Sequence, residues 1–225
     1  MNISKRKTKW ICFEGVEGVG KTTQTSKLVE YLREKGYKVL QTKEPGTPLS
    51  PLTMELRNIM LNAKYDKEMT LHARELISQA IRSIHIEKVV RPAFNEYDFI
   101  VQDRGILSGL AYGDACGNEP ALLGFLSGLH SLHGENHSSG LSVYKMYDDV
   151  IYLKGDPDKG LAIAKSAKQE FAEGDAIEAK GAAFMNVVSK NMDAYSSAFN
   201  TRTVYVDGKD IEQVFSEIVA VLDLP

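Results

Sequence analysis

A glycine-rich segment near the start of the chain constrains its fold more than any other feature. Residues 15–22 read Gly-Val-Glu-Gly-Val-Gly-Lys-Thr and fit the phosphate-binding pattern G-x-x-x-x-G-K-T. The apolar run at residues 10–13 predicts a buried strand before it, and helical spacing of apolar residues follows Thr23. In this order, main-chain N–H groups and the helix N-terminus can bind phosphate. The segment therefore predicts a nucleoside triphosphate site, with an ordinary glycine-rich turn as the alternative.

Individual loop residues have defined roles in such a site. Lys21 is placed to reach the β- and γ-phosphates, and Thr22 to ligate Mg²⁺. Glu17 suits a site that manages Mg²⁺ or an arginine near the transferred phosphoryl group. GTPases, partition ATPases and small-molecule kinases share the motif, but Val16 stands where partition ATPases carry a second lysine. The residues predicted to bind ATP are Gly15, Val16, Glu17, Gly18, Val19, Gly20, Lys21, Thr22 and Thr23.

Composition limits the class of protein. A chain of 225 residues, 43% of them hydrophobic, can bury one good core and predicts a single domain over residues 1–225. The formal net charge of −3 gives no electrostatic reason to expect a nucleic acid or a membrane as partner. Cys12 and Cys116 make no disulfide framework and fit a reducing, cytoplasmic setting. The basic run at residues 5–9 is interpreted as a solvated lead-in and not as a targeting signal.

The rest of the chain alternates strand and helix patterns. Further strands are predicted at residues 37–42, 99–102, 150–153 and 203–206. Helices are predicted at residues 68–90, around residues 184–195, and from Asp210 onward. Arg91-Pro92 is expected to end the first of these three. The alternation predicts an α/β fold of the P-loop NTPase type, with a five-stranded parallel sheet, helices on both faces and ligands at the carboxyl ends of the strands.

Asp103 and Arg104 directly follow the predicted third strand. A carboxylate there can orient Mg²⁺ or the attacking oxygen, and an arginine can clamp a phosphate. A surface ion pair is the alternative. The run at residues 103–112 resembles the D-R-Y-x-x-S-x-x-A-Y block of thymidylate kinases.

Other segments carry the same resemblance. Residues 13–24 look like the family's F-E-G-x-[DE]-G-x-G-K-[ST]-T-Q loop, and residues 42–48 are similar to its T-R-E-P-G-G-T block. Arg82, followed by residues 91–93, resembles its helix arginine and K-P-A-L ending. The resemblance reaches from Trp10 to the last helix and leaves out only a stretch around residues 117–143.

The resemblance implies ATP-dependent phosphorylation of a deoxynucleoside 5′-monophosphate, with dTMP the first choice, by a homodimer. Lys21 and Thr22 would hold ATP·Mg²⁺, while Asp103 would hold the metal shell and align the acceptor phosphate. Tyr112 would crowd the sugar 2′ position and select deoxyribose; a core aromatic is the alternative. The implied acceptor-binding residues are Arg57, Ser78, Arg82, Arg104, Ser108, Gly109, Tyr112 and Gly113.

The implied lid, about residues 155–181, departs from the family. It has Ala176 in place of the family arginine and contains no arginine at all. Lys165 and Lys168 are candidates for the missing positive charge, which lacks the planar fork of an arginine. Ordinary solvated charges are an equally open interpretation. The candidate catalytic residues are Lys21, Asp103, Arg104, Glu17, Lys165 and Lys168.

The base-facing positions depart as well. Ser78 stands where the family has a stacking phenylalanine, and Gly109 and Gly113 stand where it has polar residues. Small residues predict an open base pocket and a looser choice of base, and therefore a broader-specificity deoxynucleoside monophosphate kinase as the alternative function. The missing lid arginines motivate a second alternative, a nucleotide-dependent switch without kinase activity.

Three histidines lie in the unmatched stretch, at His130, His133 and His137. Their spacing lacks nearby cysteines or paired acids, so a surface loop is favoured over a metal site. Residues 134–142 are expected to form a flexible connection.

Overall fold

The computed structural model of the protein describes residues 8–130, 146–167, 175–199, 201–222 and 224. The strands are β1 (Lys9–Glu14), β2 (Val39–Lys43), β3 (Phe99–Asp103), β4 (Asp149–Lys154) and β5 (Arg202–Tyr205). They form one parallel sheet in the order β2-β3-β1-β4-β5. All five predicted strands are therefore present, and each lies within two residues of its predicted bounds.

Helices connect the strands. They are α1 (Lys21–Glu34), α2 (Pro51–Leu61), α3 (Leu71–His85), α4 (Arg91–Ala93), α5 (Ile106–Ala115), α6 (Pro120–Gly128), α7 (Pro157–Ala167), α8 (Gly181–Ser196) and α9 (Ile211–Val221). The predicted start of α9 is confirmed, because Asp210 and Gln213 form a reciprocal capping box there. No helix was predicted at α2, α5 or α6, although α2 and α6 each begin with a proline in the first turn.

The predicted helix end at Arg91-Pro92 is wrong. After α3 the chain continues through a π-helical turn, Ile86–Val90, directly into α4. Pro92 lies in the first turn of α4, where a missing N–H breaks no hydrogen bond of that helix. Val90 at the end of the π turn and Ala93 of α4 are both buried.

β1 contributes side chains to two hydrophobic cores, one on each face of the sheet. Ile11 and Phe13 belong to the core that also holds Leu28 of α1. Trp10 and Cys12 belong to the other core, which includes residues of α5 and α6. Successive strand residues point to opposite faces, so a strand covered on both sides needs an unbroken apolar run. The predicted α/β fold, with a parallel sheet between two helical layers, is confirmed.

Strand register brings three loops to one edge of the sheet. Phe13 of β1 and Lys43 of β2 both pair with Asp103 of β3. The carboxyl ends of these strands therefore coincide. The phosphate loop, the segment after β2 and Asp103-Arg104 all leave the sheet beside one another, as expected for a ligand site in this kind of fold.

Candidate active site

The phosphate loop runs from the end of β1 to the start of α1. Gly18 and Gly20 have φ angles of 71° and 90°, in the left-handed region that glycine adopts readily. Lys21 begins α1, and its Nζ donates a hydrogen bond to the Val16 carbonyl at 2.5 Å. Burial, and then the positive charge of Arg104, lower the pKa of Lys21 to about 8. Lys21 therefore lies inside the loop with a pKa close to neutral pH.

Thr22 and Asp103 meet at the mouth of the loop. Thr22 Oγ1 donates a hydrogen bond to Asp103 Oδ2 at 2.6 Å. Asp103 Oδ1 is buried and has no hydrogen-bond partner among the described residues. Hydroxyl and carboxylate oxygens are the ligands that Mg²⁺ prefers, so this pair fits a magnesium ion beside a bound triphosphate.

Arg104 has an unusual backbone conformation for a residue with a side chain. Its φ is 65°, and the turn is held by hydrogen bonds from its N–H to Phe13 O (2.8 Å) and from Gln102 Nε2 to its carbonyl (2.7 Å). The turn directs the guanidinium to the phosphate loop, where Nη2 contacts Glu17 Oε1 at 2.5 Å and Nη1 contacts Gly15 O at 3.2 Å. Glu17 was expected either to manage Mg²⁺ or to contact an arginine, and in the structure it contacts Arg104.

Ser108 and Tyr112 lie on α5, next to Arg104. The Ser108 hydroxyl and N–H both donate to Glu14 Oε2, at 2.5 and 3.2 Å. Burial raises the pKa of Glu14, and these two hydrogen bonds oppose the rise. The Arg104 guanidinium carbon lies 5.3 Å from the centre of the Tyr112 ring. This packing holds the tyrosine against the arginine that faces the loop.

Arg82 lies buried at the far end of the site. Its Nε donates to Glu44 Oε2 at 2.9 Å, Nη1 to Gln79 Oε1 at 3.4 Å, and Nη2 to the Gly105 carbonyl at 3.2 Å. Burial alone would raise the pKa of Glu44, but the charge of Arg82 and a hydrogen bond from His85 lower it to about 2. Arg82 is therefore fixed by three protein contacts before any nucleotide binds.

His130 belongs to the same polar cluster, so its interpretation as part of a surface loop is wrong. It is buried, and its Nε2 lies 2.8 Å from Gln79 Oε1. Burial, and then the charge of Arg82, lower its pKa to about 4, so the ring is neutral at pH 7. Within the described parts of the chain, no cluster of metal-ligating side chains occurs. His133, His137 and residues 134–142 lie outside the described residues.

Two of the three base-facing positions are not open, contrary to the sequence-based prediction. A Cβ at Gly109 would lie 2.7 Å from Arg82 Nη2, and a Cβ at Gly113 would lie 2.7 Å from Leu123 Cδ2. Neighbouring side chains therefore fill the space that these glycines leave. Ser78, in contrast, lines a cavity.

One cavity of about 420 Å³ joins both halves of the site. The predicted residues that line it are Glu17, Gly18, Gly20, Lys21, Thr22, Thr23, Arg57, Ser78, Arg82, Asp103, Arg104, Ser108, Gly109, Tyr112 and Gly113. Gly15, Val16 and Val19 do not line it. Val16 and Val19 are part of the hydrophobic core, so any contact from them to a phosphate comes from the main chain.

The first part of the lid segment, α7, lies against the phosphate loop. α7 approaches the phosphate loop so closely that a side chain at Gly160 would overlap the Glu17 carbonyl. At the other end of the lid, Ala176 N–H donates to Leu61 O of α2 at 2.8 Å. Lys165 is within α7, but its side chain is outside the described part of the chain, as is the whole of Lys168.

Several polar residues that line or support the cavity were not predicted from the sequence, among them Glu75, Gln79 and Asn118. Glu75 and Asn118 line it, and Gln79 is hydrogen-bonded to Glu75. Glu75, Gln79 and Arg82 follow helical i, i+4, i+7 spacing, and this polar face of α3 was the available signal. Asn118 lies in the stretch that matches no family block, so no comparable signal existed for it.

Comparisons with known proteins agree with this geometry. A family model described as thymidylate kinase matches residues 13–218. The thymidylate kinase of Gluconobacter oxydans is 33% identical over 209 residues, which cover 92% of this chain and 90% of that protein. The thymidylate kinase of Finegoldia magna is 29% identical over 213 residues, 95% of this chain and 97% of that one. The crystal structure of thymidylate kinase from Ehrlichia chaffeensis shares the fold, with a TM-score of 0.67 at 22% identity over 96% of this chain and 99% of that one. The protein therefore belongs to the thymidylate kinase family.

Proposed function

We propose that the protein transfers the γ-phosphoryl group of ATP to dTMP and produces dTDP. The observation that carries this proposal is the single cavity that joins a phosphate loop to the arginines Arg57, Arg82 and Arg104. A phosphate loop alone serves many nucleotide-binding proteins, whereas a second cationic end suits an acceptor nucleotide. Family membership supports dTMP as that acceptor.

The donor end would bind ATP through the loop N–H groups and Lys21. Thr22 and Asp103 would hold Mg²⁺, since their oxygens meet and Asp103 Oδ1 is buried with no hydrogen-bond partner among the described residues. The ion would supply charge that neutralises the phosphate oxygens. Lys21 and Arg104 approach the same region, so the chain itself contributes two further positive groups.

The acceptor end would align the monophosphate for attack. Arg57 Nη1 donates to the Pro45 carbonyl at 3.1 Å, which holds this arginine at the cavity wall. Arg104 lies between the loop and α5 and can contact phosphate groups of both nucleotides. Tyr112 packs beside Arg104, in a position suited to crowding a ribose 2′-hydroxyl. Phosphoryl transfer needs alignment and charge more than covalent chemistry, so such contacts suffice.

A coupled assay with ATP, Mg²⁺ and dTMP tests the proposal. We expect ADP release that depends on dTMP, and release no higher than in the control without acceptor would contradict it. Asp103→Asn should lower kcat by about 10²–10³-fold, as for other lost electrostatic contacts to the transferred group. The matched control is Asp98→Asn at the opposite end of β3, outside the cavity, which should keep the wild-type rate.

A nucleotide switch without kinase activity is the competing function. It would bind ATP in calorimetry and show no turnover that depends on an acceptor. Arg57 and Arg104 at the acceptor end argue against it, because a switch has no use for a second phosphate clamp.

The family and the composition support an expected oligomeric state, cellular location and class of partner. We propose a homodimer in the cytoplasm that uses small-molecule nucleotides and no nucleic acid or membrane partner. Among the helices that the structure describes, none has the length and apolar character needed to cross a bilayer.

A further inference from the structure

The end of the cavity near α3 presents a carboxylate where the family has a polar base-reading side chain. Glu75 Oε2 lies 2.9 Å from the position that a Cβ at Gly113 would take. Glu75 is buried and lines the cavity. Its other oxygen, Oε1, accepts a hydrogen bond from Gln79 Nε2 at 2.5 Å. A group that only accepts hydrogen bonds has therefore taken the place of a side chain at position 113.

Gln79 and His130 fix the orientation of this carboxylate. The Gln79 amide must direct its nitrogen to Glu75, because a carboxylate only accepts hydrogen bonds. Gln79 Oε1 then faces His130, whose neutral ring donates from Nε2. The chain of hydrogen bonds occupies Glu75 Oε1 and leaves Oε2 on the side of Gly113.

Asn118 adds a second acceptor beside Gly113. Its Nδ2 donates to the Gly113 carbonyl at 3.2 Å, which settles the orientation of the amide. Its Oδ1 is buried and has no partner within the described ranges of the chain. The side chain is 4% exposed and lines the cavity. An unsatisfied buried oxygen at a cavity wall indicates that a ligand or a water molecule donates to it.

Arg82 supplies hydrogen-bond donors about one turn of α5 away from Gly113, where Glu75 and Asn118 provide the acceptors. Its Nη groups lie against Gly109, four residues before Gly113 on α5, so the two glycines that face the donors and the acceptors are about 6 Å apart along the helix axis. Each Nη carries two hydrogens, and one hydrogen of each is used by a protein acceptor. The remaining hydrogens can contact a carbonyl oxygen on a base edge.

This order of groups matches bases in which a carbonyl adjoins a ring N–H. Thymine has O4 beside N3–H, and guanine has O6 beside N1–H followed by a 2-amino group. In cytosine and adenine the order is reversed, so the ring nitrogen lone pair would face the Glu75 carboxylate. Ser78 lines the cavity and is smaller than a phenylalanine, which favours room for the larger ring of a purine.

We propose that dGMP is a second acceptor of this enzyme, with Glu75 receiving N1–H and Asn118 Oδ1 receiving the 2-amino group. The proposal rests on the kinase activity proposed above. It narrows the broad specificity predicted from the sequence to bases with a carbonyl beside a ring N–H and excludes dAMP and dCMP.

The test compares kcat/KM for dTMP, dGMP, deoxyinosine monophosphate, dAMP and dCMP, with ATP and Mg²⁺ present. We expect dGMP to exceed dAMP and dCMP by about 10- to 100-fold, the effect of one hydrogen bond to a charged group. dGMP should also exceed deoxyinosine monophosphate, which lacks the 2-amino group. If dAMP or dCMP is used as well as dGMP, the proposal is wrong.

Variants separate base recognition from support of the fold. Glu75→Gln keeps the shape and the Gln79 contact, and it should lower kcat/KM for dGMP by about 10-fold or more. Glu119→Gln removes the same charge from an exposed site next to Asn118 and should change nothing. Asn118→Ala should lower dGMP use more than use of deoxyinosine monophosphate. Equal losses for all acceptors would show a merely structural role and overturn the proposal.

Calorimetry with each monophosphate and no ATP gives a readout that needs neither a variant nor turnover. Tighter binding of dGMP than of dAMP would support the contacts of guanine with Glu75 and Asn118, and turnover of dGMP in the kinetic comparison would support its role as an acceptor. Turnover of dTMP without binding of dGMP would overturn this inference and leave the proposed function intact. Absence of dTMP turnover, in contrast, would count against the proposed function alone.

Discussion

The lowered pKa of Lys21 makes ATP affinity depend on pH. A phosphate binds the protonated ammonium group, and the pKa of Lys21 in the free protein is about 8. We therefore expect the ATP dissociation constant to be constant below pH 8 and to rise up to about tenfold per pH unit above it, until the higher pKa of the complex is reached. Calorimetric titrations between pH 6.5 and 9.5 would measure this (~0.5-unit steps suffice). Lys21→Arg stays charged and serves as the control, and an equally steep rise in that variant would contradict the assignment.

Gly105 and Tyr147 form a pair that can be tested by stability. Gly105 takes the tyrosine position of the family's D-R-Y block, and the Tyr147 ring lies where its side chain would begin, with Cζ 2.8 Å from an added Cβ. Gly105→Ala should overpack this region and cost about 1–3 kcal/mol in the free energy of unfolding. Urea denaturation would measure the loss.

The double variant Gly105→Ala/Tyr147→Phe supplies the control. Removing the hydroxyl relieves the closest contact, so the double variant should lose less than the sum of the two single losses. Single losses that add within about 0.5 kcal/mol would show that the two residues do not interact.

At the level of residues, what the sequence could predict depended on separation along the chain. The proximity of Thr22 and Asp103 followed from the rule that parallel strands end at one edge of the sheet. The Tyr147 contact with Gly105 joins residues 42 positions apart, and no local pattern signals it. The filling of Gly109 by Arg82 is of the same kind, which explains why the open pocket was predicted wrongly.

At the scale of the secondary-structure elements, the prediction about the lid lysines concerns α7 and the residues that follow it. Its backbone contact with the phosphate loop at Gly160 brings the helix to the triphosphate end of the cavity. If lid lysines replace the missing arginines, Lys165→Ala or Lys168→Ala should lower kcat by about 10²–10³-fold and leave ATP affinity nearly unchanged. Steady-state kinetics would measure this, with Lys190→Ala on the exposed face of α8 as control. Wild-type rates in both lid variants would identify these lysines as solvated charges.

The elements that could be predicted from the sequence are those with a clear pattern of apolar residues or a clear helix-capping motif. The buried strands and α9 met this condition, since unbroken apolar runs and the Asp210–Gln213 capping box are local signals. The apolar residues of α6 are divided between the core, as at Leu123, and the surface, as at Phe125. A helix that is apolar on its outer face gives little contrast for a periodicity argument.

For the whole molecule, that outer face of α6 predicts how two copies associate. Phe125 of α6, Leu129 directly after α6 and Leu76 of α3 are 68%, 59% and 57% exposed. The hydrogen bond between His130, just after α6, and Gln79 of α3 links the segments that carry these side chains. An apolar surface of this kind favours burial against a partner, and family membership makes a second copy the expected partner.

Sedimentation velocity should therefore show a dimer for the wild-type protein. Phe125→Lys places a charge in the expected interface and should shift the protein to monomer, because a buried unpaired charge costs several kcal/mol (~3–5 by analogy with broken buried ion pairs). Val187→Lys changes an exposed apolar residue of α8 in the same way and should leave the dimer intact. A monomeric wild type at all concentrations would contradict the dimer. A dimer that persists in Phe125→Lys and dissociates in Val187→Lys would instead place the interface on α8.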